Sequence, residues 1–215
     1  MHPYLVEGEQ TKITPLVLSH ADRVRRMLLD NAPNLSEPWS TAYRTCAYIK
    51  TLPKMVEYIE NPTKEQEELN RELKRRVTRS RTAHQILEEG RYPTCSHTGI
   101  LFRTLMIAQG VPTAFVETFH EDYLLGRDFH GHVFGRVFGK DRSALVDPEE
   151  ISYHKQESDI FPRIIFREGL DSWDIGIYSY DDMHRLREEN LKTLLERYET
   201  VLGQKIERSR QFREK

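Results

Sequence analysis

Three residues of this 215-residue chain have side chains and surroundings suited to nucleophilic acyl chemistry: Cys95, His132 and Asp147. Cys95 sits in RYPTCSHTG, between a turn signal and the apolar run GILFRTLMIA. A cysteine in the first turn of a helix meets unpaired backbone N–H groups and the positive end of the helix dipole, which favours thiolate over thiol. The N–H groups of Cys95 and Ser96 are then the expected donors to an oxyanion. His132 opens the strand-like HVFGRVF, and Asp147 closes the short apolar SALVDP. An imidazole has one nitrogen for a thiol and one for a carboxylate, and the carboxylate fixes its tautomer and stabilises imidazolium.

The elements around these residues decide whether they meet. If HVFGRVF and the segment ending at Asp147 form a hairpin with Gly139-Lys140 as a two-residue loop, Phe138 faces Asp141 and His132 lies directly opposite Asp147. Upstream, Ser19 with Asp22 marks a helix start, and Val24, Met27 and Leu28 share one face before NAPN stops it. The aromatic and aliphatic residues between Glu37 and Ile59 read as two short helices broken near Pro53. Thr63 with Gln66 has the spacing of a capping box, so a long charged helix begins there. That helix breaks near TRSR, resumes as TAHQILEE and stops at Gly90. GILFRTLMIA is apolar on nearly every face, as a helix buried in the middle of a fold must be. TAFVETF, HVFGRVF, SALVDP and RIIF supply strands of an antiparallel sheet, and the segment after Asp181 is an amphipathic helix that needs a docking surface.

Each candidate also has a plainer reading. A cysteine in apolar surroundings is commonly a small buried hydrophobe, a strand histidine a structural one, and Asp-Pro the start of a turn. The order, the element types and the hairpin register together point to a Cys-His-Asp triad instead. A metal site is the rival: His130, His132, Cys95, His97 and His120 are all ligand types. Their spacing matches no common zinc finger or ribbon, and His97 would sit about 200° around a helix from Cys95. The expectation is therefore no metal and no cofactor, with His97 facing away from the chemistry or lining the cleft.

Composition narrows the partners. With 38% hydrophobic and 10% aromatic residues the chain has enough apolar material for one packed domain over 1–215, its motif core spanning about 83–150. A helical N-terminal region (1–82) and a C-terminal helix (181–213) flank that core, and the terminal helices pack on it or form a homodimer. A formal net charge of −2 argues against a nucleic-acid binder, although Arg71, Lys74, Arg75, Arg76, Arg79 and Arg81 cluster together. The glutamates just upstream make that cluster read as a solvated helix face with ion pairs rather than a patch for an anionic partner. No apolar stretch is long enough for a membrane span, no leader pattern opens the chain, and two cysteines make no disulfide framework. A reducing, cytoplasmic setting is expected.

GRYPTCSHTGILFRTLMIAQGVPTAFVET, followed by GHVFGRVF and ALVDPEE, resembles the transglutaminase-like superfamily. That family has a Gly-x-Cys helix start, a Gly-Ile/Val-Pro after the helix, a His-Ala-Trp strand and an Asp-Pro strand end. Here Pro93 replaces the usual glycine and Thr94 fills the variable position before the cysteine, Phe134 stands where tryptophan is frequent, and the small residue four positions after the cysteine is Gly99. The resemblance implies an α+β, papain-like core with the cysteine helix packed on an antiparallel sheet. On it, Cys95 is the nucleophile, His132 the general base and acid, and Asp147 the orienting carboxylate. It implies a cysteine hydrolase acting on an amide or peptide bond through an acyl-enzyme. The alternatives are transglutaminase-type transfer to an amine and a non-catalytic scaffold that keeps the fold. Substrates would be peptides, proteins or small amides. Arylamine acetyltransferases share the triad, but EEGRYPTC lacks their Arg-Gly-Gly-x-Cys lead-in.

Overall fold

The computed structural model describes residues 2–27, 35–60, 62–127 and 131–213, with side chains described as far as 206. Leu28, the NAPN stop and His130 lie outside the described residues. The fold is α+β, with a five-stranded antiparallel sheet in the order β4-β3-β2-β1-β5. The strands are β1 (Thr113–His120), β2 (Gly131–Phe138), β3 (Ser143–Asp147), β4 (Ser152–His154) and β5 (Arg163–Gly169). β4 was not expected from the sequence: its three residues are too few to show an alternating pattern.

The central helix α5 (Cys95–Ala108) packs on β1 and β2, while helices α1 (Pro15–Arg26), α2 (Trp39–Ile49) and α4 (Ala83–Glu89) cover its other side. Every residue from Ser96 to Ile107 is buried, which is why this run lacks a polar face. Each fully buried Ile, Leu, Phe or Met here contributes about 1.5–3 kcal/mol of transfer free energy, so the helix that carries Cys95 is anchored along its length. At Gly99, one turn beyond Cys95, an added Cβ would lie 2.2 Å from Val133 Cγ1 on β2. The missing side chain thus lets the start of α5 approach the start of β2 closely.

The N-terminal helices depart from expectation in two places. α1 starts at Pro15 rather than near Ser19, because Thr14 caps it by accepting from the Val17 N–H and Pro15 takes the first helical position. A single helix, α2, lies between Glu37 and Ile59; residues 50–60 are turn and extended chain, and Lys54 bridges to Tyr92. Helix α3 (Glu67–Val77) follows the predicted capping box, in which the Thr63 N–H donates to Gln66 Oε1 at 3.0 Å. The break after it falls at Arg79, whose φ is +63°, and α4 is capped by Thr82 and ended by left-handed Gly90.

The short helix α6 (Glu121–Leu124) follows β1, and α7 (Tyr180–Arg213) closes the chain. Met183, Leu186, Leu194 and Val201 of α7 are buried, and Arg187 donates to the carbonyls of Tyr123 and Leu124. Its apolar face therefore docks on the core. Among the described residues no helix is long and apolar enough to cross a membrane.

Candidate active site

The hairpin register differs from the expected one. Phe138 pairs with Ser143 and Gly135 with Val146, and the Gly139 N–H reaches the Arg142 carbonyl at 2.8 Å across a four-residue connection. A two-residue type I′ loop would require left-handed backbone at both Gly139 and Lys140, which a lysine disfavours. The register is shifted by two residues, and two is the period of a strand, so His132 and Asp147 still share a face. They meet on the diagonal instead of directly opposite, within reach of long side chains.

His132 Nε2 and Asp147 Oδ2 are 2.7 Å apart, with the two side chains only 14% and 8% exposed. The other carboxylate oxygen, Oδ1, accepts from the Glu149 and Glu150 N–H groups at 2.9 and 3.2 Å. The Asp-Pro turn and the imidazole contact are therefore made by the same carboxylate, one oxygen each. Because Nε2 is occupied, Nδ1 is the ring nitrogen left for Cys95, which lies near enough to raise the His132 pKa. Burial disfavours the imidazolium, but the hydrogen bonds and charges of Asp147 and Cys95 outweigh it and push His132 up to about 10. Asp147 is itself partly desolvated, yet His132 and the two backbone donors hold its carboxyl below the usual range.

Cys95 is half-buried at the first position of α5, and both it and Cys46 are free thiols. The His97 and Thr98 N–H groups turn back to the Thr94 carbonyl at 3.1 and 3.2 Å. The two preceding N–H groups, of Cys95 and Ser96, make no backbone hydrogen bond among the described residues, as at any helix start. Cys46 is fully buried in α2, and desolvation drives its thiol strongly upward, so it has no thiolate character.

His97 takes no part in this arrangement. It is fully buried, its Nδ1 lies 2.7 Å from Thr94 Oγ1, and desolvation pushes it down to about 3, so it is neutral. Of the other metal-ligand types, His120 is bound up with Asp122, its Nδ1 3.2 Å from Oδ2. Among the described residues no three such side chains gather as a ligand set.

A cavity of about 280 Å³ opens onto Cys95 and contains residues far apart in the chain, among them Tyr58, Lys74, Arg79, Glu117 and Tyr180. Glu117 pairs with Val133 across the sheet and so points to the α5 side, where it forms a buried ion pair with Arg79. Burial raises the Glu117 pKa, against the pull of Arg79. The Arg79 carbonyl is pinned by Gln10 Nε2 and Trp173 Nε1, both at 3.1 Å, which holds the left-handed backbone in place. The basic cluster is thus not one solvated face: Arg79 is interior, and Arg81 is tied to Glu57 and Glu89. Only one signal pointed to this pair, a lone glutamate inside the apolar strand TAFVETF.

No family model and no curated protein matches the chain. A solved structure described as "a Putative Cysteine Protease from Cytophaga hutchinsonii" is similar at a TM-score of 0.49 and 16% identity, over 81% of this chain and 48% of that one. The chain thus spans about half the length of this neighbour.

Proposed function

We propose that this chain is a cysteine hydrolase of the transglutaminase-like class that cleaves an amide or peptide bond through Cys95, His132 and Asp147. The observation that carries the reading is the 2.7 Å contact of His132 Nε2 with Asp147, which leaves the other imidazole nitrogen to serve a thiol at a helix start. With His132 held as imidazolium at neutral pH, the Cys95 thiolate attacks the carbonyl carbon and forms the C–S bond. The oxyanion is received by the Cys95 and Ser96 N–H groups. His132 gives its proton to the departing nitrogen as the C–N bond breaks, then takes a proton from water as water attacks the thioester. The carboxylic acid leaves and the thiolate is restored. An amine in place of water would give acyl transfer by the same steps, with the same proton movements.

The test is alkylation of the purified chain by iodoacetamide between pH 6 and 9, read by mass spectrometry at Cys95 and Cys46. Cys95 should label readily at pH 6 while buried Cys46 stays unmodified, and His132→Ala should slow Cys95 at least about tenfold at that pH. Labelling of Cys95 no faster than an ordinary thiol, or none in the native protein, would leave the scaffold reading in its place.

A further inference from the structure

The cavity at Cys95 holds two cations that the triad does not use. Lys74 lies over the ring faces of Tyr58 and Tyr180, at 5.5 and 5.9 Å from their centroids. Its neighbours on α3 are matched, Arg71 to Glu68 at 2.6 Å and Arg75 to Asp181 at 2.8 Å. Lys74 has no carboxylate within ion-pair distance among the described residues, and desolvation pulls its pKa down, as for an ammonium removed from water without a counter-charge. Arg79, 2% exposed, gives one nitrogen to Glu117, while its Nε and Nη1 have no acceptor among the described residues. Glu117 therefore offsets one cation of the two. Glu60, at the rim, is exposed and bonded to neither.

We propose that this cavity is a carboxylate subsite in which Lys74, backed by Arg79, selects amide substrates bearing an acidic group close to the reacting carbonyl. An ammonium braced by two aromatic faces has three donors and little freedom, so a carboxylate reaching it forms a charge-assisted hydrogen bond with little further desolvation of the lysine. A volume of about 280 Å³ lies at the foot of the ~300–1,000 Å³ range of drug-sized pockets, which suits one residue of a substrate. The carboxylate is either a Glu or Asp side chain or a chain terminus. The subsite rests on the reading of Cys95 as nucleophile.

Three thiol-directed probes separate these cases: iodoacetyl-glutamic acid α-amide, its neutral glutamine isostere, and iodoacetyl-glutamine with a free α-carboxylate. Rates of Cys95 labelling in the full chain are normalised to glutathione. One acidic probe should exceed the neutral one by about tenfold, equivalent to about 1.4 kcal/mol, and the faster of the two identifies the carboxylate source. Lys74→Met should bring that ratio to about one, and Lys74→Arg should keep most of it. His132 is present throughout, so its own attraction for anions does not account for a ratio that changes with Lys74. Equal rates for all three probes, or a ratio that survives Lys74→Met, would overturn the subsite. If the neutral probe still labels Cys95 faster than glutathione, the nucleophile reading stands without it. If no probe labels Cys95, both fall together.

Discussion

Replacing Asp147 by Asn tests the relay at its most constrained point. The native carboxylate has one oxygen on His132 and the other on two backbone N–H groups at 2.9 and 3.2 Å. An amide has a single oxygen, and the backbone donors claim it, so the NH2 group faces His132 Nε2. That nitrogen must then accept, which moves the proton to Nδ1 and aims N–H at Cys95 in the neutral ring. The charge that stabilises imidazolium is lost as well. His132 stands at about 10 against an ordinary 6.5, and the Asp147 hydrogen bond is the first of the contributions that raise it. Loss of an adjacent opposite charge is worth ~1–3 pKa units, or ~1.4–4 kcal/mol. NMR titration of the His132 ring should place its midpoint between about 7 and 9 in Asp147→Asn, and iodoacetamide labelling of Cys95 at pH 9 should slow by ~2–100-fold, as the imidazolium fraction falls. A variant His132 still titrating near 10 would refute the reasoning, as would a native His132 titrating near 6.5.

Other perturbations follow from the same structure. Gly99→Ala places a methyl 2.2 Å from the stiff, β-branched Val133; urea denaturation should show a loss of ~1–3 kcal/mol, and a change under 0.5 kcal/mol would mean that α5 and β2 are not so close. Glu117→Gln leaves Arg79 buried without its counter-charge, so stability should fall by ~3–5 kcal/mol in the same assay, and an unchanged midpoint would contradict a buried pair. Stability should also decline on both sides of neutrality. His132, raised to about 10, contributes fully below pH 6.5 and loses that contribution as pH climbs through 10, while His97, lowered to about 3, contributes above pH 6.5 and loses it as pH falls toward 3. Denaturation at pH 5, 7 and 9.5 checks both limbs, and His132→Gln should flatten the alkaline one; an undiminished alkaline slope would count against the His132 assignment.

The sequence alone determined the local features on which the candidate site depends. An apolar run too uniform for a surface places Cys95 at the start of a buried helix, because only a helix covered on every side can lack a polar face. Strand alternation puts His132 and Asp147 on one face, and that prediction tolerates the two-residue error in hairpin register because parity, unlike register, is a local property. The capping box at Thr63 and the left-handed stop at Gly90 are likewise set by neighbouring residues. Tertiary structure decided the rest. The diagonal contact of His132 with Asp147 depends on a four-residue turn, in place of a two-residue loop whose left-handed backbone a lysine at position 140 disfavours. The cavity walls come from Tyr58, Lys74, Arg79 and Tyr180, which have no shared spacing that a periodicity could reveal. Arg79 in particular looks like one more charge on a solvated helix. Only the pinning of its backbone by Gln10 and Trp173 turns it inward to Glu117, and contacts across such separations are set by how helices and sheet pack rather than by any pattern along the chain.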